Sequence, residues 1–132
     1  MRSKPCLTSA DVRKMMAAAL AEAENNKWIV TVAVVDDGGF MLHLERMDGA
    51  AVTTAEVAVG KARTAALTRR PSKFFEDRVK ERPAFIAFPA GLFIQGALPI
   101  MHEGECVGAV GVSGVQSFED EQIARAGIAA LG

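Results

Sequence analysis

The chain has no tyrosine, one tryptophan, two histidines and two cysteines. Each scarcity removes a class of chemistry. With His43, His102, Cys6 and Cys106 scattered along the sequence, nothing has the clustered spacing of a zinc site, and no metal centre is expected. The two cysteines lie far apart, and no secretory apolar run stands near the start, which points to a reducing cytoplasm rather than a disulfide scaffold. A net charge of −1 gives no electrostatic case for nucleic acid or an anionic membrane. The one span-sized stretch without a formal charge runs from Pro83 to Met101. Pro83, Pro89 and Pro99, with Gly91, Gln95 and Gly96, break it into pieces that read as buried strands and turns, not a membrane helix. The absence of a Ser-His-Asp set or a dinucleotide fingerprint leaves no basis for hydrolysis or hydride transfer.

What is present suits one domain over residues 1–132, half of it apolar and long enough to bury a core. Thr8 and Asp11 form a capping box, and Val12, Met15, Met16, Ala19, Leu20 and Ala23 continue one helical face that stops near Asn25. Ile29 to Val35 is almost continuously apolar and β-branched, as a strand covered on both faces would be. Asp36 to Gly39 makes a hairpin turn, and the returning strand alternates, with Phe40, Leu42 and Leu44 expected to face the core. Thr53 and Glu56 read as a second capping box opening a helix of small residues. In its middle, Gly60 suggests close approach by a strand, a subunit or a ligand. Ser72 can cap a short helix carrying Phe74, Phe75 and Val79, and Leu92–Gln95 and Leu98–His102 read as short strands.

The last segment is the most informative. A strand with glycine at 108 and 111 runs through Gly-Val-Ser-Gly into a helix for which Ser117 and Asp120 read as the capping box. Such a turn can cradle phosphate, but Glu119, Asp120 and Glu121 already fill the helix end with negative charge. A nucleophile elbow would need glycine where Val115 stands.

Several stretches, taken together, resemble the GlcG/HbpS-type heme-binding family, whose domain also occurs at the C-terminus of the PduO proteins. They are VAVVDDGGFMLHLERMDGA from Val32, TTAEVAVGKARTAA from Thr53, RRPS from Arg69, the LPI following Ala97, and GAVGVSGVQSFEDEQIARAG from Gly108. The chain departs from the family pattern at Ala97 and in having no histidine in its first helix. The resemblance implies an α/β (α+β), profilin-like domain with an antiparallel sheet of about five strands flanked by helices, assembled into even-numbered homo-oligomers. It also implies heme as the possible cofactor.

Heme needs a flat apolar pocket, often an axial ligand, and cations for its propionates. Phe74, Phe75, Phe85, Phe88 and Phe93 cluster in sequence with Arg69, Arg70, Lys73, Arg78, Lys80 and Arg82, although Glu76, Asp77 and Glu81 can pair with those cations on a solvated helix. His43 and His102 are the candidate iron ligands, each with a surface histidine as the alternative. The candidate ligand-binding set is Arg46, Lys61, Arg63, Phe88, Phe93 and Ser113. A second class of reading is a small lyase or isomerase acting on an organic acid. There Lys61, Arg63 and Arg46 hold the carboxylate, Glu56 or Asp36 serves as general base, and the alternative for each residue is an ion pair or a capped turn. A third is a non-catalytic assembly or sensor module.

Overall fold

A computed structural model of the chain describes residues 1–132. Four helices, α1 (Ser9–Asn25), α2 (Thr54–Thr68), α3 (Ser72–Glu81) and α4 (Ser117–Ala129), accompany four strands, β1 (Thr31–Asp36), β2 (Met41–Arg46), β3 (Ala97–His102) and β4 (Glu105–Ser113). A 3-10 turn covers Pro83–Ala87. The strands form one antiparallel sheet in the order β2-β1-β4-β3. Helices α1 and α4 cover one face through Met15, Met16, Ala19, Ile123 and Ala124, which meet Val32, Val34, Val110 and Val112. Helix α2 covers the other through Ala62, Ala65 and Ala66, packed with Val35, Ala97 and Ala109. A third, smaller core of Phe75, Ala90 and Phe93 holds α3 and the 3-10 turn together.

The first helix begins as its sequence dictates, with the Asp11 N–H donating to the Thr8 hydroxyl and the Thr8 N–H to the Asp11 carboxylate. Other local expectations give way to tertiary demands. The sheet has four strands, not five, because Leu92–Gln95 spends its backbone elsewhere. The Leu92 N–H donates to the Gly60 carbonyl, the Thr64 hydroxyl to the Leu92 carbonyl, and the Gln95 N–H to Glu76. Nor do Phe40, Leu42 and Leu44 turn inward as a set. Strand β2 is an edge, and the register slips between Val34 and Val35, so the alternation breaks. Phe40 and Leu42 stay exposed and Leu44 is half-buried.

Two caps differ as well. Thr53 is helical in backbone and makes no side-chain cap, while the neighbouring Thr54 hydroxyl is buried against Thr31 and the Ala51 carbonyl. At α4 the cap shifts one residue back. The Gln116 N–H donates to Glu119, which releases Asp120 to turn into the interior.

Gly60 is met by the loop that follows the 3-10 turn. A Cβ there would lie 3.0 Å from Leu92 Cβ. Gly60→Leu is therefore expected to cost about 1–3 kcal/mol by overpacking, read as a drop in melting temperature; an unchanged melt would mean that Leu92 does not seat there.

Candidate functional site

The largest cleft, about 430 Å3, opens on the side of the sheet that carries α1 and α4. Its walls come from the two ends of the chain. Pro5, Cys6 and Leu7 lead into α1, Ile128 and Leu131 stand at the end of α4, and Ile100, Met101, His102 and Val107 come from the β3–β4 hairpin. The leading segment is tied down by ion pairs from Arg2 to Glu105 and from Lys4 to Asp37, and by Leu7, which packs on the main core. Leu7 approaches so closely because residue 108 is glycine, whose absent Cβ would sit 2.9 Å from Leu7 Cδ1.

His102 brings the only imidazole to this cleft, and Cys6 and Asp11 line it as well. The Asp11 carboxyl is held below the usual range, chiefly by the Thr8 N–H and hydroxyl, with Lys14 and His102 adding to the effect. No arginine or lysine lines the cleft, so the carboxylates of a bound ligand would have to remain in water. His43 lies in a smaller neighbouring cleft of about 270 Å3 with Thr8, Val12 and Leu42, and Leu7 forms part of the wall of both.

The remaining sequence candidates do not gather around either histidine. Lys61 is buried: its ammonium sits 3.0 Å from Asp120 Oδ2 and donates to the Val112 carbonyl, also at 3.0 Å. Burial pushes the Asp120 carboxyl up, and Lys61 together with the Val115 and Gly114 N–H groups pulls it back. Gly96 permits this clip, since a Cβ there would come within 2.7 Å of Lys61 Nζ. Asp36 accepts the N–H groups of Gly38 and Phe40 and so closes its own hairpin turn. Arg63 donates to the Gly39 carbonyl. Arg46 and Ser113 both pair with Thr31 at the end of the sheet away from His102. Glu56 is exposed on the outer side of α2.

The five phenylalanines do assemble, around Phe75, with ring centroids 5.3 Å from Phe74 and Phe93, 5.4 Å from Phe88 and 6.1 Å from Phe85. Phe93 is consumed by that packing, while Phe88 keeps a half-exposed ring. Arg70, Arg78 and Arg82 lie over the Phe74 and Phe85 rings, and Lys73 pairs with Asp77 at 2.8 Å. Sequence reasoning missed Pro5, Leu7, Ile128 and Leu131 as cleft walls, because only the fold brings the two chain ends together. The sequence does carry one signal for Leu7: it precedes the Thr8 cap and, with Val12, occupies the two positions of a hydrophobic staple.

Comparison with known proteins agrees with the fold. The sequence model of the family described as haem degrading protein HbpS-like matches residues 7–129. Protein GlcG of Escherichia coli K12 is 42% identical over 114 residues, covering 86% of this chain and 85% of that protein. The crystal structure of a double mutant of Streptomyces reticuli HbpS superposes with a TM-score of 0.93 at 36% identity, over 100% of this chain and 91% of that one. A PduOC:heme complex superposes with a TM-score of 0.88 at 25% identity, over 96% and 95% of the two chains. An α+β domain with a four-stranded antiparallel sheet, matched by HbpS along its whole length and by GlcG along most of it, is a member of the HbpS-like family.

Proposed function

We propose that this protein binds heme, and that the iron is taken by His102 in the cleft between the leading segment, the β3–β4 hairpin and the end of α4. The observation that carries this reading is the coincidence of an imidazole with the largest apolar cleft. A volume of about 430 Å3 falls within the range of small-ligand sites, and the walls of Leu7, Ile100, Val107, Ile128 and Leu131 suit a macrocycle that excludes water from its faces. A relative of the same fold has been captured with heme, which supports the choice of ligand.

Heme supplies a redox-active iron where it is bound. The residues here would hold and orient it. His102 would offer a nitrogen to the metal, and Cys6, which lines the same cleft, would be a second donor. The organic-acid reading loses its support, because Lys61 is committed to Asp120 and Asp36 to its turn. Two free thiols suit work in the cytoplasm, and no helix is long and apolar enough to cross a membrane. The exposed Phe40, Met41 and Leu42 suit assembly of copies in even number.

Titration with hemin tests the site. The wild type should give a saturable Soret shift, and His102→Ala should weaken binding by about tenfold or more, the equivalent of roughly 1.4 kcal/mol. His43→Ala and Phe88→Ala should leave the affinity close to that of the wild type. No saturable shift with folded protein, or a His102→Ala variant that binds as the wild type does, would overturn the assignment.

A further inference from the structure

The outward side of α2 is unlike an ordinary solvated helix face. Ala55, Val59 and Gly60 form its centre, and Met41 and Leu44 of β2 continue it into a shallow apolar groove of about 340 Å3. Met41 is 58% exposed and the adjacent Phe40 is 69% exposed. The outer edge of β2 has no neighbouring strand. Such a surface on a strand edge invites association unless it is covered.

Charge identifies what covers it. Glu56 and Arg63 flank the groove on the same side of α2, and neither has an oppositely charged partner within the chain. They stand seven residues apart, which is about 10 Å along a helix. The midpoint between them falls between Val59 and Gly60, within the apolar part of the groove. A second copy of α2 laid antiparallel across that midpoint sets Glu56 of each chain level with Arg63 of the other. A two-fold contact is self-complementary by construction, so one surface satisfies itself twice. Arg63 is already positioned for this, since its guanidinium is braced by the Gly39 carbonyl and lies 6.0 Å from the Phe40 ring centroid, leaving donors free.

We infer that the α2–β2 face is a two-fold interface between copies of this chain, centred on Val59 and Gly60 and closed at both ends by reciprocal Glu56–Arg63 pairs. It lies on the opposite side of the sheet from the His102 cleft, so assembly leaves that cleft open. The inference rests on the proposed even-numbered assembly and gives it a location.

Sedimentation velocity on charge-reversed variants tests it. Glu56→Arg should weaken the dimer by about tenfold or more by setting like charges opposite each other, Arg63→Glu should do the same, and the double reversal should restore it. The double variant also guards against Arg63→Glu acting only through its contact with Gly39. In a Cys6→Ser, Cys106→Ser background, Val59→Cys should cross-link to itself under mild oxidation, because it sits beside the axis. A wild type that is monomeric at micromolar concentration overturns the assembly itself. An intact dimer indifferent to Glu56→Arg, with no cross-link at Val59→Cys, overturns this interface and leaves the assembly standing on another.

Discussion

Lys61→Met should cost about 3–5 kcal/mol at neutral pH, because it leaves a buried carboxylate without its cation. Asp120 is 2% exposed, and its partners are Lys61 and the backbone N–H of Val115. The deficit should also depend on pH. Burial already raises the Asp120 carboxyl above its ordinary value of 3.8, and Lys61 is the first influence that opposes the rise. Without that cation the folded-state value climbs further. A group whose folded pKa is raised binds its proton more tightly when folded, so its contribution is fully present below 3.8 and is lost as pH rises through the folded value. The variant should therefore be least impaired in acid and should lose stability toward neutrality. Adding Asp120→Asn, which removes the stranded charge while keeping an acceptor for Val115, should recover most of the loss at pH 7. Urea denaturation of the three proteins across this range provides the measurement. A loss under about 1 kcal/mol that does not vary with pH would show that the pair is not buried.

The same residue shows where sequence reasoning stops. Lys61 lies on a helix of small residues and, read alone, resembles a ligand-binding cation. Its neighbours on the buried stripe, Ala58, Ala62 and Ala65, all face the sheet, and its place among them was a usable sign of burial. Its partner was hidden by an ambiguity. The α4 start offers two overlapping caps, Ser117 with Asp120 and Gln116 with Glu119, and local rules rank serine above glutamine. The structure takes the weaker cap because Asp120 is needed inside. Features that close within a few residues were legible: the Thr8–Asp11 box, the Asp36 turn and the clustering of five phenylalanines. Those that depend on a distant neighbour were not. The diversion of Leu92–Gln95 onto α2 and α3 is decided by partners many residues away, and the exposure of Phe40 and Leu42 follows from the edge position of β2 in the sheet and from a register slip in its hairpin that no residue pattern announces. The His102 cleft belongs to this second kind. His102 could be named as a candidate, but the walls that make it more than a surface histidine come from residues 5–7 and 128–131.

The glycine-bearing strand reads as a place of close approach, and substitution at Gly111 should show how close. A Cβ at this position would lie 2.3 Å from the Ala58 carbonyl oxygen, 2.7 Å from the Ala62 nitrogen and 2.8 Å from Ala62 Cβ. Two of these three atoms are helix backbone, so no rotamer change relieves the clash, and α2 must move off β4 as a body. That displacement would loosen the alanine packing of Ala62, Ala65 and Ala66 and pull Lys61 away from both Val112 and Asp120. Gly111→Ala is therefore expected at or beyond the top of the roughly 1–3 kcal/mol range of overpacking, and Gly111→Val should not give a folded protein. Gly104 is the control. A Cβ there meets nothing within 4 Å, and its cost comes only from a φ of +80°, so Gly104→Ala should lose about 1 kcal/mol. Thermal melts of the two alanine variants separate steric contact from backbone strain. Equal losses would mean that α2 does not rest on the strand at Gly111. A large loss at Gly111 with hemin binding weakened in proportion to the unfolded fraction, and no further, would assign α2 to support and leave the ligand to the opposite face of the sheet.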